Sequence, residues 1–106
     1  MAKVPLCPLD ELAPGTARHF DVGRHRLAVV RLDEDVYALH DVCSHQEVPL
    51  SEGEVDPDER TIECWKHGSL FDLVTGEPLS LPATRPVPVY DVRVDDGMIV
   101  VVLPDE

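Results

Sequence analysis

Two short motifs constrain this chain of 106 residues more than any other feature. The first is Cys43-x-His45, and the second is Cys64-x-x-His67. Each motif brings one thiol and one imidazole within a few residues of each other, and residues 46–63 separate the two motifs. One cysteine and one histidine from each of two loops together supply the four ligands of a metal site.

Two occupants suit a set of two sulfur and two nitrogen donors. One is a tetrahedral zinc ion, and the other is a 2Fe–2S cluster in which histidines replace the cysteines on one iron. Structural zinc sites usually pair cysteine with cysteine at a spacing of about two to four residues. Here each motif carries a cysteine followed by a histidine, at unequal spacing, which disfavours zinc. A zinc-stapled interaction module stays open as an alternative at this point.

The net charge and the hydropathy of the chain indicate which classes of partner it can bind. Nine basic residues against 21 acidic ones give a formal net charge of −12. This excess disfavours nucleic acid and anionic membranes and attracts a basic protein surface, although solubility alone accounts for it equally well. The longest apolar run, Met98–Leu103, is far shorter than the roughly 20 residues that span a bilayer. With no signal-like N-terminal segment, we expect a cytoplasmic protein without a membrane partner.

The remaining cysteine and histidines have ordinary structural interpretations. In a reducing compartment the three cysteines are expected to be thiols. If the motif cysteines bind metal, Cys7 is left over, and we predict a small core residue in an apolar strand. His19, His25 and His40 lie in the N-terminal β segments and are predicted to be strand or surface residues.

The sequence pattern predicts β-structure almost throughout. The predicted strands are Ala17–Val22, His25–Leu32, Val36–His40, Val87–Val94 and Met98–Leu103. The second and third form one hairpin, and Asp95-Asp96-Gly97 joins the last two in another. In the fourth strand, Val87, Val89, Val92 and Val94 are predicted to face the core.

Other segments are predicted to be turns and loops. Ten prolines argue against long helices and favour edge strands and fixed loops, so we expect at most one helical turn, at Leu9–Leu12. The acidic stretch Glu52–Glu59 is interpreted as a solvated loop that ends in a turn at Asp56–Arg60. A further turn is expected at Thr75–Pro78, after Phe71–Val74.

The paired motifs resemble the two ligand boxes of the Rieske 2Fe–2S family. The similarity continues in Val36–Leu39 before the first box, and in Phe71-Asp72, Thr75-Gly76 and Leu81-Pro82-Ala83 after the second. It therefore covers nearly the whole chain. The resemblance implies an all-β, Rieske-like fold of stacked small antiparallel sheets with two cluster-binding loops, in a single domain of residues 1–106.

The resemblance also implies the cofactor, which is one 2Fe–2S cluster per chain. The cluster-binding loops would be about residues 41–50 and 62–72, and a proline loop at about 80–88 would cover the cluster. Gly68 would allow the backbone to approach the cluster closely. The four implied ligands are Cys43, His45, Cys64 and His67.

Departures from the family pattern narrow the expected role. The cysteines that form the loop-tying disulfide of respiratory Rieske proteins are missing, and the chain is too short to hold the second iron domain of an oxygenase. The resemblance then implies a soluble, monomeric ferredoxin rather than an enzyme. It would pass one electron from a flavin-dependent reductase to a terminal aromatic-ring dioxygenase, or alternatively serve another redox system such as iron–sulfur cluster assembly.

Two residues after the second box bear on the redox potential. Ser69 lies where high-potential respiratory members carry a serine that donates to a bridging sulfide. Phe71 lies where those members carry a tyrosine that donates to a cysteine sulfur, and a phenyl ring cannot donate. We therefore predict a potential near the lower end of the Rieske span of roughly −150 to +300 mV.

Overall fold

The fold is built from antiparallel strands, which confirms the predicted all-β class. The computed structural model describes residues 2–23, 25–33, 35–42, 49–65, 68–79 and 85–103. Within these ranges the helical elements are two short 3-10 turns, Leu9–Glu11 and Leu50–Glu52. The first confirms the helical turn predicted at Leu9–Leu12. No helix in the same ranges has the length and apolar character needed to cross a membrane.

The strands of the described residues form two sheets. Their bounds are β1 Ala2–Pro8, β2 Thr16–Val22, β3 His25–Leu32, β4 Asp35–His40, β5 Val55–Asp56, β6 Thr61–Glu63, β7 Leu70–Asp72, β8 Val89–Asp95 and β9 Met98–Leu103. The six-stranded sheet has the order β1-β9-β8-β4-β3-β2, and the three-stranded sheet has the order β5-β6-β7. Every pairing between these strands is antiparallel. Two-residue connections require this for β2–β3, β3–β4 and β8–β9.

Strand β3 separates two hydrophobic cores because it lies inside the six-stranded sheet and is buried on both faces. Successive side chains of a strand point to opposite faces, so Ala28 and Val30 enter one core while Leu27 and Val29 enter the other. The first, here called the ligand-loop core, comprises Ala28, Val30, Leu32, Leu39, Leu50, Ile62, Cys64, Phe71, Leu73 and Val87. The second core comprises Cys7, Leu12, Leu27, Val29, Ala38, Ile99, Val101 and Leu103.

Both predicted hairpins are confirmed. Strands β3 and β4 pair from Leu32 opposite Asp35, and β8 and β9 pair from Asp95 opposite Met98. Asp96 and Gly97 have φ values of 49° and 75°, the left-handed conformation that a two-residue hairpin turn needs at both positions. The proline-rich β1 lies at the edge of its sheet, where missing N–H donors are tolerated.

Two sequence predictions about strands are wrong. Val89 was expected to face the core, yet its side chain is 41% exposed, while Val87 is only 3% exposed. The strand starts at Val89, and from there the alternation buries Tyr90, Val92 and Val94 in part. Val87 precedes the strand and joins the ligand-loop core instead. The inward and outward positions therefore change phase around Pro88.

The acidic stretch is also not purely a loop. Val55–Asp56 forms strand β5 and pairs with β6, which the pattern analysis did not predict. Most of the stretch is exposed, as expected, and the turn that follows Asp56 is present. The Asp56 carboxylate accepts the backbone N–H groups of Asp58 and Glu59, and Arg60 has a φ of 56°. Such short strands carry too few residues for a period to be recognised.

Candidate metal centre

Of the four predicted ligands, the described part of the chain contains Cys64. Cys43, His45 and His67 lie outside the described residues. Cys64 follows directly after β6 and is fully buried in the ligand-loop core. Among the described residues, no group of three or more histidine, cysteine and acidic side chains gathers into another metal site.

The second ligand loop is closed by its own backbone. The Cys64 N–H donates to the Ser69 carbonyl over 2.7 Å, and the Gly68 N–H donates to the Cys64 carbonyl over 2.8 Å. Gly68 has a φ of +76°, a conformation that side chains with a Cβ adopt only with strain. The glycine therefore lets the chain turn back into β7 immediately after the predicted ligand pair. Its predicted closeness to the cluster stays a prediction.

Ser69 and Phe71 are both fully buried next to this loop. Phe71 belongs to the same ligand-loop core as Cys64. The effect of position 71 on the potential stays a prediction. Phe71 offers no hydroxyl group, so it cannot donate the hydrogen bond that a tyrosine at this position could donate.

The base of the first ligand loop holds a polar group that the sequence analysis missed. Asp41 follows β4, and its side chain is completely buried. Its carboxylate accepts the Ser51 backbone N–H over 2.6 Å and the Ser51 hydroxyl over 2.6 Å, and it also contacts the Nδ1 of His19. The sequence offered one sign of this group, because Asp41 lies two residues before the predicted ligand Cys43. Its partners lie 10 and 22 residues away and could not be read from local pattern.

His19 lies on β2 and its side chain is 42% exposed, as a strand or surface histidine should be. Its Nδ1 meets Asp41, and its Nε2 lies 2.8 Å from Asp21. The hydrogen bond to Asp41 is the main reason why the pKa of His19 is raised above its ordinary value. The hydrogen bond to Asp21 adds to this effect, while partial burial opposes it.

The remaining cysteine and histidines behave as predicted. Cys7 is 7% exposed in the second core, and burial raises the pKa of its thiol. His25 lies edge-on to the ring of Tyr90, with centroids 5.6 Å apart. His40 lies at the end of β4, half-buried, and its backbone N–H donates to the Pro88 carbonyl.

Residues 80–84 of the predicted proline loop lie outside the described residues, but both flanks of this segment are anchored. The Leu79 N–H donates to the Leu70 carbonyl over 2.7 Å, and the Val87 N–H donates to the Gly76 carbonyl over 2.9 Å. Leu70 belongs to β7, immediately after the second ligand loop. The N-terminal flank is therefore held beside the second predicted ligand loop, and the C-terminal flank is held at the turn that contains Gly76.

The surface of the three-stranded sheet is acidic and partly apolar. A groove of about 630 Å³ crosses it, lined by Glu54, Val55, Asp56, Pro57, Glu59, Thr61, Glu63, Leu70 and Leu79. Leu79 is 55% exposed, and Trp65, the residue after Cys64, is 53% exposed. Large exposed apolar side chains beside a predicted metal ligand are typical of a surface that another protein covers.

The donor set suits iron–sulfur chemistry. A buried thiol at the foot of a tight loop can be held as a thiolate by a metal and kept from water by the ligand-loop core. Thiolate and imidazole donors in equal number are the ligand types of a Rieske cluster. The buried Ser69 adds a hydroxyl donor close to the loop.

Comparison with known proteins gives the same assignment. Residues 2–91 match the family model of the Rieske [2Fe-2S] domain. The chain is 41% identical to Ferredoxin CarAc of Metapseudomonas resinovorans over 97 residues, which are 91% of this chain and 89% of that protein.

Two solved structures are also similar. The ferredoxin of carbazole 1,9a-dioxygenase from Nocardioides aromaticivorans IC177 superimposes with a TM-score of 0.92 at 40% identity, over 95% of this chain and 97% of that one. A ferredoxin-sized chain in a complex of reduced oxygenase and oxidized ferredoxin in carbazole 1,9a-dioxygenase gives a TM-score of 0.85 at 40% identity, covering 93% and 91%. The chain belongs to the Rieske [2Fe-2S] domain family and carries the 2Fe–2S cluster, not zinc.

Proposed function

We propose that this protein is the ferredoxin component of a ring-hydroxylating dioxygenase system. It accepts one electron at a time from a flavin-dependent reductase and delivers it to a terminal oxygenase, with no substrate chemistry of its own. The observation that carries the proposal is the similarity, over nearly the whole chain, to ferredoxins of carbazole 1,9a-dioxygenase, one of them in a complex with its oxygenase. A cytoplasmic location and a monomeric state stay predictions.

The ligand assignment is part of the proposal. Cys43 and Cys64 hold one iron, and His45 and His67 hold the outer one. The burial of Cys64 and the closed turn from Cys64 to Ser69 support it, because a rigid, water-excluding loop is what a cysteine ligand needs. When bound, a 2Fe–2S cluster supplies one-electron transfer, and the protein's part is to hold it without rearrangement.

Docking would use the surface beside the second ligand loop. Trp65 and Leu79 supply exposed apolar contacts there, and the acidic groove lies on the adjoining sheet. Together with the net charge of −12, this surface suits an oxygenase or reductase face that is basic around an apolar centre. Electrostatic attraction of this kind mainly raises the association rate and weakens with salt.

A reconstituted assay tests the function. The protein is mixed with the reductase and the terminal oxygenase of a carbazole 1,9a-dioxygenase system, and product is measured with and without it. We expect product formation to require the protein and to slow as salt is raised. A protein that the reductase reduces, but that passes no electron to this oxygenase or to those of the anthranilate and phenylpropionate systems, would contradict the proposal.

A matched pair of variants tests the docking surface. Trp65→Ala removes an exposed apolar side chain next to Cys64, whereas Val74→Ala removes one that is equally exposed, at 53%, but lies beside β4 and β8. We expect Trp65→Ala to raise the apparent KM of the oxygenase for the ferredoxin roughly tenfold, as truncation of an interface anchor does. The visible spectrum should be unchanged in both variants. Equal KM values for the two would contradict this surface.

A further inference from the structure

The buried Asp41 carboxyl has a local role that its neighbours define. A carboxyl without exposure to water is costly unless each oxygen accepts hydrogen bonds. Here Oδ1 accepts the Ser51 N–H, and Oδ2 accepts the Ser51 hydroxyl and meets His19. Removing one partner of such a buried group costs more than an average hydrogen bond contributes. The cluster of contacts is therefore a rigid connection between three segments of the chain.

These contacts close the base of the first ligand loop. The Asp41 N–H donates to the Arg26 carbonyl over 2.9 Å, so the residue is tied to β3 by its backbone. Its side chain reaches Ser51 in the 3-10 turn Leu50–Glu52, which follows the predicted loop in the sequence. The residues before and after the segment that contains Cys43 and His45 are thus joined by one carboxyl.

The same turn also packs against the second ligand loop. A Cβ at Gly53, the residue that ends the turn, would overlap the carbonyl oxygen of Glu63. Gly53 has a φ of −84°, which any residue adopts, so the glycine is required by space and not by conformation. Glu63 immediately precedes Cys64, and its N–H donates to the Glu54 carbonyl over 2.9 Å. Leu50, in the same turn, is fully buried in the ligand-loop core.

We propose that Asp41 and the turn from Leu50 to Gly53 form a brace that sets the separation of the two ligand pairs. Asp41, Ser51 and Gly53 are positioning residues, because they act on the cluster only through the loops that hold it. The inference rests on the proposed assignment of Cys43 and His45 as ligands. Groups behind metal ligands commonly change metal affinity on the order of 10- to 100-fold when they are altered.

Three variants of the cluster-loaded protein test the brace. Asp41→Asn keeps a side chain of the same shape but cannot accept all three contacts. Ser51→Ala removes the hydroxyl donor. Gly53→Ala adds a Cβ that pushes the turn away from Glu63. For Asp41→Asn and Gly53→Ala we expect a rate of cluster loss about tenfold higher, a shifted midpoint potential and altered g-values in the electron paramagnetic resonance (EPR) spectrum. Ser51→Ala should give a smaller change of the same kind, and Ser51→Thr should restore the wild-type values.

The control is Ile99→Ala, a cavity in the second core on β9. It lowers overall stability but should leave the potential and the g-values unchanged, which separates positioning of the cluster from general destabilisation. Wild-type potential and g-values in both Asp41→Asn and Gly53→Ala would overturn the brace. If Asp41→Asn does not retain the cluster, Gly53→Ala and the Ser51 pair decide by the same measurements.

A failed ligand assignment is distinguishable from a failed brace. Cys43→Ser should abolish the Rieske visible and EPR spectra. If Cys43→Ser keeps these spectra, the assignment is wrong, whatever the brace variants do. If Cys43→Ser loses them while the brace variants match the wild type, the assignment stands and the brace is wrong.

Discussion

The six-stranded sheet consists of strands of six to eight residues, whereas the strands of the three-stranded sheet are two or three residues long. Long ladders hold their own register through many paired hydrogen bonds and a buried face. Strands of two or three residues cannot, and a small sheet of this kind is marginal without other support. The three-stranded sheet has that support from the Asp56 side-chain cap and from close backbone packing between Gly53 and Glu63.

The two sheets have different roles in the protein. The six-stranded sheet supplies a stable body with its own core, and the three-stranded sheet presents the second ligand loop at the surface. Because the second core contains no predicted ligand, changes there should affect stability alone. Changes in the ligand-loop core, which includes Cys64, should affect the cluster as well.

The sharpest contrast is between two buried cysteines, one in each core. Cys64→Ala removes a proposed ligand and should yield a protein without the red-brown colour and visible bands of a Rieske cluster. Cys7→Ala, with a thiol that is similarly buried, should retain both in full. Absorbance and iron content per chain measure the outcome. If Cys64→Ala retained a full complement of iron, Cys64 would not be a ligand and the contrast with Cys7 would be wrong.

Two fully buried isoleucines give a matched test of the cores. Ile62→Ala on β6 and Ile99→Ala on β9 should each lower the free energy of unfolding by about 2–5 kcal/mol, since both leave a cavity. We expect only Ile62→Ala to accelerate cluster loss under native conditions, because Ile62 packs in the same core as Cys64. Denaturant unfolding and the decay of visible absorbance measure the two effects. Equal rates of decay would argue that the cores are not separate.

A smaller effect is expected on the redox potential. Phe71→Tyr introduces a hydroxyl into the ligand-loop core, and a hydrogen bond to a ligand sulfur should raise the midpoint potential within the Rieske range of roughly −150 to +300 mV. Tyr90→Phe removes a hydroxyl from β8, where it lies 3.4 Å from His25, and should leave the potential unchanged. Protein-film voltammetry measures both. A lower potential in Phe71→Tyr would show that the ring does not face the sulfur.

The smallest effect is a dependence of stability on pH. Asp41 and Asp21, the charged groups that contact His19, raise its pKa above the ordinary 6.5 in the folded protein. A raised folded pKa gives stability that is fully present below 6.5 and is lost as pH rises through the folded value. The stability difference between the wild type and His19→Gln should therefore shrink with rising pH.

Thermal unfolding midpoints at several pH values measure this difference. Asp91→Asn, an exposed carboxylate on β8 that pairs with Arg93, serves as the control. An offset between the wild type and His19→Gln that stays constant from acidic to alkaline pH would show that His19 does not titrate as expected.

Much of the body could be predicted because its strands are long enough to show a pattern. The predicted bounds of His25–Leu32 and Met98–Leu103 agree with β3 and β9. Val89 was misassigned because alternation gives the period and not the phase, which the packing of Val87 into the ligand-loop core decided. Strands β5 and β6 were missed because two or three residues are too few to show an alternating pattern. Their pairing depends on contacts with β7 and with the turns around them.

The predicted ligands could be identified from the sequence, whereas the contacts that surround them could not. The two Cys–His motifs are local in the chain, so residue type and spacing predicted the donor set. Their resemblance to the Rieske ligand boxes implied the family and the 2Fe–2S cofactor, which the family match confirmed. The contacts of Asp41 with Ser51 and His19, and the packing of Gly53 against Glu63, join segments that are distant in sequence. Only the tertiary structure could decide them, because burial and hydrogen bonding arise when separate segments meet, and no local pattern encodes which segments will do so.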